Sequence, residues 1–146
     1  MDYVPFIQLK QETIYQASFK SKKIDSVTTV ANYARELIGE MDRETVLIFG
    51  LNTKSEINFI SIVSVGTLNS SMVHPREIFK ASILSNCSRI IITHNHPSGD
   101  IEPSKPDKSF TDRIVEAGEL IGIEVLDHVI VSASTDYYSF AEHGHI

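Results

Sequence analysis

Apolar positions recur with two different periods along this chain, and each change of period marks a new element. After Asp25-Ser26, residues Val27, Val30, Ala31, Ala34, Leu37 and Ile38 recur at helical spacing and Gly39 supplies a stop, which predicts a first helix. Arg43-Glu44 leads into Thr45–Leu51, a short apolar run rich in strand formers. Asn52–Glu56 reads as a turn and Ile57–Val65 as a second strand, so the pair predicts a hairpin. Pro75 sits where the first turn of a helix tolerates it, Arg76–Leu84 continues that helix and Asn86 stops it. Arg89-Ile90-Ile91-Ile92-Thr93 is a continuous apolar run, typical of a strand buried on both faces. From His94 to Pro106 the prolines at 97, 103 and 106 and Gly99 predict a loop. Phe110, Ile114, Ala117 and Ile121 form the stripe of another helix, capped by Asp107 or a near neighbour and ended by Gly122. Ile123–Val131 reads as a strand, and Tyr137–Phe140 as a short terminal one. Helices interleaved with strands predict an α/β domain, and the hairpin predicts a mixed sheet flanked by helices. Residues 1–24 read as an extended arm with weak alternation and a polar break at Lys20–Lys23; residues 25–146 read as the domain.

Composition narrows the class. The chain has 146 residues, 42% hydrophobic and 22% charged, enough for one domain with its own core. The single cysteine, Cys87, excludes an intrachain disulfide and a cysteine-based zinc site, and is expected to be a buried strand residue. No apolar run is long enough to span a membrane, and Met1–Pro5 lacks the start of a signal peptide. A cytoplasmic location is the expectation. A net charge of −6 disfavours direct DNA binding, which rewards a basic face.

The chemistry concentrates in His94-Asn95-His96-Pro97-Ser98-Gly99-Asp100-Ile101-Glu102-Pro103-Ser104-Lys105-Pro106-Asp107. Two histidines one residue apart at a strand end direct both imidazoles to one point if the chain bends, and Pro97 and Gly99 favour the bend. A catalytic zinc needs a third ligand and an open fourth position. Asp107, folding back from the next helix, is the expected third ligand, with Asp100 and Glu102 as stand-ins. Taken singly, a His-x-His pair is common on surface loops, and Asp107 or Ser104 alone would read as a helix cap. The joint pattern favours the metal.

The spacing His-x-His-x₇-Ser-x-x-Asp, filled by His94, His96, Ser104 and Asp107, resembles the JAMM motif of JAB/MPN metalloprotease-like domains. With Val73-His74-Pro75-Arg76-Glu77-Ile78-Phe79-Lys80 before it and Leu126-Asp127-His128-Val129-Ile130-Val131 after it, the chain resembles the RadC family from about Ser26 onward. Long RadC proteins carry an N-terminal helix-hairpin-helix region; this chain resembles the short type. The resemblance implies a three-layer, cytidine-deaminase-like architecture and a Zn²⁺ held by His94, His96 and Asp107 with a bound water. It further implies Glu44 as general base, with Glu40, Glu56 and Glu77 as rivals, and Ser104 as hydrogen-bond donor to the oxyanion. The implied reaction is hydrolysis of a peptide or isopeptide bond in a peptide or protein substrate. The alternative is a non-catalytic or DNA-processing accessory domain that keeps the metal site; a metal-dependent nuclease is a third reading.

Other positions carry two readings each. His74 and Arg76 read as a substrate or phosphate contact, or as a helix-start pairing with an acidic residue. Asp127-His128 reads as a hydrogen-bonded core pair, or as support beside the zinc. The letters His94-Asn95-His96 do not indicate an HNH nuclease, whose residues are dispersed, and one cysteine cannot supply the Cys pair of a nucleoside deaminase. His143 and His145 are expected to be exposed. A strand in the N-terminal arm would offer an edge to another chain, making a homodimer an expected assembly.

Overall fold

The structure is a computed structural model and describes residues 1–66 and 73–146. Its elements are α1 (Val27–Ile38), β1 (Thr45–Leu51), β2 (Ile57–Val65), α2 (Pro75–Leu84), β3 (Arg89–Asn95), α3 (Lys105–Ile121), β4 (Glu124–Val131) and β5 (Tyr137–Ser139). The strands form one mixed sheet in the order β2-β1-β3-β4-β5. β1 runs antiparallel to β2 and β3, β3 runs parallel to β4, and β4 is antiparallel to β5. The expected α/β class with a mixed, helix-flanked sheet is the observed one. No helix among the described residues is long and apolar enough to cross a membrane.

The two-residue strand period sorts β1 between two cores. Val46 and Ile48 pack with Ile78 and Phe79 of α2 and Phe110 and Ile114 of α3. Leu47, Phe49 and Leu51 pack with Val30, Ala31, Tyr33, Ala34 and Ile38 of α1. Helices therefore cover both faces, giving three layers. All seven residues of β1 are buried, as are six of seven in β3. This explains their continuous apolar runs, since a strand covered on both faces has no solvent side to make polar.

A register shift positions the site. Ile90 pairs with Val125, but Ile91 pairs with Asp127, so one extra residue is inserted into β4. The insertion inverts the facing of the residues that follow. His128 therefore sits opposite Ile92 and turns to the same face as Ile92 and His94.

Three boundaries and the placement of Cys87 differ from the sequence expectation. β3 continues through His94 and Asn95, because β4 offers partners as far as Val131 and the backbone N–H of His96 still donates to Val131 (2.9 Å). α3 begins at Lys105, with Pro106 in its tolerant first turn and Ser104 as the cap. β4 begins at Glu124, because the Ile123 N–H is taken by the Gly118 carbonyl (3.0 Å) as α3 ends at left-handed Gly122 (φ 77°). Cys87 is buried, but in the turn ahead of β3 rather than in a strand. Residues 1–22 form no helix or strand, yet Phe19 and Ile24 pack against the α1 core and Lys23 bridges to Glu56.

Candidate metal centre

β3 is the central strand, and His94 lies on it between Val46 of β1 and Ile130 of β4. His96 follows two residues later on the same face. Its Nδ1 meets the Asp100 carbonyl at 2.6 Å, brought back by a turn in which Gly99 takes φ 88° and donates to the His96 carbonyl (3.0 Å). Asp107 enters from the start of α3. The Ser104 N–H donates to Asp107 Oδ2 (2.8 Å) and the Asp107 N–H donates to Ser104 Oγ (3.1 Å), forming a capping box. The cap does not compete with a role toward a metal: the same carboxylate lies 3.6 Å from His94 Nε2 through Oδ1 and 3.3 Å from His96 Nε2 through Oδ2.

Glu44 completes the cluster from the residue before β1, with Oε1 3.7 Å from His96 Nε2. Asn95 presents that segment. Its Oδ1 accepts from the Thr45 N–H (2.6 Å) and its Nδ2 donates to the carbonyls of Arg43 (3.0 Å) and Met41 (3.4 Å). Glu44, His94 and His96 form a group that could hold a metal ion, with ligand atoms within 4.8 Å of one another. Of the rival glutamates, Glu56 is held in the β1–β2 turn by Asn52 and Lys22, and Glu77 pairs with Lys80 on α2.

The hydrogen bonds fix where the ring protons sit. Thr111 has one hydroxyl proton and donates it to the Asp107 carbonyl (2.8 Å). Its oxygen must then accept from Nδ1 of His128 at 2.6 Å. His128 Nε2 is thereby an acceptor and takes the Nδ1 proton of His94 at 2.6 Å. His94 Nε2 is left with its lone pair toward the cluster. The Asp100 carbonyl fixes the Nδ1 proton of His96 in the same way. The two Nε2 atoms lie 3.0 Å apart, so two bare lone pairs would face each other unless one positive charge sits between them. That charge is a proton or a metal ion.

The electrostatics agree. Burial opposes a charge on His96, but Asp107, the Asp100 carbonyl and Glu44 outweigh it and raise its pKa above 6.5. Burial likewise opposes ionisation of Asp107, and the imidazoles of His94 and His96 beside it, where a positive charge is shared, hold its carboxyl well below the ordinary carboxylate range. His128 is fully enclosed, with its ring stacked on Phe140 (4.7 Å) and edge-on to Phe110 (6.0 Å); burial, with His94 beside it, pushes its pKa well below 6.5. Donors about 2.05 Å from a tetrahedral zinc lie about 3.3 Å apart. The two Nε2 atoms at 3.0 Å and His96 Nε2–Asp107 Oδ2 at 3.3 Å lie near that value, while the 3.6 Å approach to His94 Nε2 comes from the other Asp107 oxygen, Oδ1. Two imidazole nitrogens with carboxylate oxygens beside them are donors that fit a metal ion.

The remaining sequence candidates lie elsewhere or act indirectly. Asp127 turns away from the cluster. It accepts from the Ser139 hydroxyl (2.5 Å) and from the N–H groups of His128 (2.7 Å) and Ala141 (2.9 Å), so it ties β4 to the C-terminal turn. Its pair with His128 runs through the backbone, not through the ring. His74 caps α2, its Nδ1 accepting from the Arg76 N–H (3.1 Å), and both residues are exposed. His143 and His145 are exposed and gather around Tyr138. Sequence reasoning missed Asn95 and Thr111. The available signals were an amide set between the two histidines and a hydroxyl one helical turn beyond Asp107.

The chain was also compared with known proteins. The model of the RadC-like JAB domain matches residues 24–145. A UPF0758 protein of Rubrobacter xylanophilus is 49% identical over 121 residues, covering 83% of this chain and 52% of the relative. A UPF0758 protein of Chlorobium chlorochromatii is 40% identical over 144 residues (99% and 64%), and one of Thermotoga maritima is 42% identical over 125 residues (86% and 55%). The chain thus spans between about half and two thirds of the length of these relatives. With the family match covering most of the chain and the centre built on its motif residues, the chain belongs to the RadC-like JAB domain family.

Proposed function

We propose that this domain is a zinc-dependent hydrolase that cleaves a peptide or isopeptide bond. The observation that carries the reading is the convergence of two acceptor imidazole nitrogens and the Asp107 and Glu44 carboxylates at one partly open point. His94, His96 and Asp107 would hold the ion. Bound zinc brings the pKa of a coordinated water to about 7 and polarises a carbonyl oxygen. The side chains of His94 and Asp107 are 0% and 3% exposed, those of His96 and Glu44 11% and 26%. Substrate and water would therefore enter on the Glu44 side, where Glu44 would take a proton from the attacking water and pass it to the leaving amine. Ser104 Oγ accepts from the Asp107 N–H and keeps its own proton to donate to the developing oxyanion.

A peptide-library cleavage assay beside a DNA-nicking assay tests the reading, each with zinc-loaded protein and with Glu44→Gln. Peptide cleavage lost in Glu44→Gln while zinc is retained supports it. Nicking without peptide cleavage, or zinc binding with neither activity, overturns it; the latter result favours an accessory domain with a retained metal site.

A further inference from the structure

Among the described residues, the N-terminal arm and the β2 edge of the sheet make a complementary pair that the single chain leaves unmatched. Tyr3, Phe6, Ile7, Leu9, Ile14 and Tyr15 are each at least 68% exposed. Among the described residues, residues 1–18 make no hydrogen bond to the rest of the chain. Ile7 and Leu9 alternate with Gln8 and Lys10, the period of a strand with one apolar face. At the sheet's edge, β2 runs for nine residues without a charge or a proline, and Ile62 and Val65 are 56% and 60% exposed. Edge strands are ordinarily protected by charges, prolines, brevity or bulges; β2 carries no charge and no proline and is long, its irregularities being the extra residues Asn58 and Val63 in its register with β1. At the opposite edge, β5 is three residues long.

The arm is steered away from its own β2. The Ile57 N–H donates to the Lys22 carbonyl (2.8 Å), as a sixth strand would begin. At Ser21 the pairing stops. The Tyr33 hydroxyl accepts from the Ser21 N–H (3.2 Å) and donates to its carbonyl (2.8 Å), and Phe19 stacks on the Tyr33 ring at 4.2 Å. The arm is thus tied to α1 at Ser21, and among the described residues no backbone hydrogen bond joins β2 to any residue before Lys22.

We propose that residues 3–15 of one chain add as a strand to the open edge of β2 in a second copy, with the reciprocal arm completing a two-fold dimer. The area suffices. Tyr3, Phe6 and Tyr15 bury about 150–250 Å² each when covered, so two exchanged arms supply about 900–1,500 Å² from aromatics alone. A standard interface buries about 1,200–2,000 Å² in total, counting both partners. The inference is independent of the metal chemistry.

Sedimentation equilibrium of the full chain tests it. Wild type is expected at twice 16.3 kDa. Ile7→Asp with Leu9→Asp is expected at 16.3 kDa with a cooperative melting transition that no longer depends on protein concentration, because these side chains lie outside the chain's own core. Ile62→Lys on β2 is expected to give the same monomer. Mixing Leu9→Cys chains with Ile62→Cys chains and adding a short bismaleimide should yield a crosslinked pair. A full chain that is monomeric at every concentration overturns the proposal. So does a dimer that survives either the arm or the edge variant, or a mixture that fails to crosslink.

Discussion

Replacing Thr111 with valine removes one oxygen from the centre's hydrogen-bond chain at nearly constant shape. That oxygen accepts the Nδ1 proton of His128 and donates to the Asp107 carbonyl, and all three residues are at most 2% exposed. Two outcomes are open to the variant, one read in stability and the other in metal affinity. If His128 keeps its proton on Nδ1, a buried donor loses its partner at a cost of about 1–3 kcal/mol. At about 2–4 °C per kcal/mol for a chain of this size, the metal-free Tm falls by about 2–12 °C. If the proton moves to Nε2, it confronts the Nδ1 proton of His94, and His94 must carry its own proton on Nε2, the nitrogen aimed at the ion. In this second case zinc affinity should fall by the roughly 10–100-fold typical of removing a ligand's hydrogen-bond partner, whereas in the first the loss is read in Tm. The assay is competition with a chromophoric chelator, beside thermal unfolding in excess chelator. Thr111→Ser keeps the hydroxyl and should recover most of the affinity. A Thr111→Val protein with wild-type affinity and a Tm within about 1 °C of wild type would refute the proton assignment.

Further outcomes follow from the same geometry. Glu44→Gln should lower kcat about 10²–10⁴-fold while one zinc per chain is retained, measured by single-substrate kinetics beside metal analysis. Asn95→Ala leaves the buried Thr45 N–H unpaired and frees the segment that presents Glu44; unfolding free energy should fall by about 1–3 kcal/mol, read by urea denaturation. Because the His96 pKa is raised above 6.5, His96 is protonated below that raised value and a metal must displace the proton. Zinc affinity should therefore fall about tenfold per pH unit on the acid side and level off on the alkaline side, read by competition titration from pH 5 to 8. Gly118→Ala would place a Cβ 2.4 Å from the Ile123 carbonyl oxygen, so α3 or β4 must shift; a loss of about 1–3 kcal/mol is expected in chemical denaturation.

The sequence was most legible where local chemistry and periodicity agree. β1 and β2 carry their strand pattern on the surface of the text, and α1 and α3 show their stripes. His94, His96 and Asp107 stand out because a histidine pair, a proline-rich turn and a capping pattern fall in one short segment. Glu44 was visible only through the family resemblance. It is fifty residues from His94 in sequence, and the β1–β3 register that pairs Val46 with His94 brings it to the site. The support by Asn95, Thr111 and His128 was less legible still. His128 reaches His94 only because the extra residue in β4 inverts its facing, and no local propensity announces such an insertion. The end of β3 was misjudged for a related reason: prolines beyond His96 signal a loop, whereas pairing with β4 keeps His94 and Asn95 in the strand. The same continuation sets both imidazoles on one face.

Metal analysis of the purified 146-residue chain tests the central claim most directly, with His143 and His145 replaced so that only the cluster is read. The account predicts one zinc per chain in that background. It predicts loss of the zinc in His94→Ala, His96→Ala and Asp107→Ala, with retention in Glu44→Gln. A chain that binds no zinc, or one whose zinc content is indifferent to His94, His96 and Asp107, would contradict it.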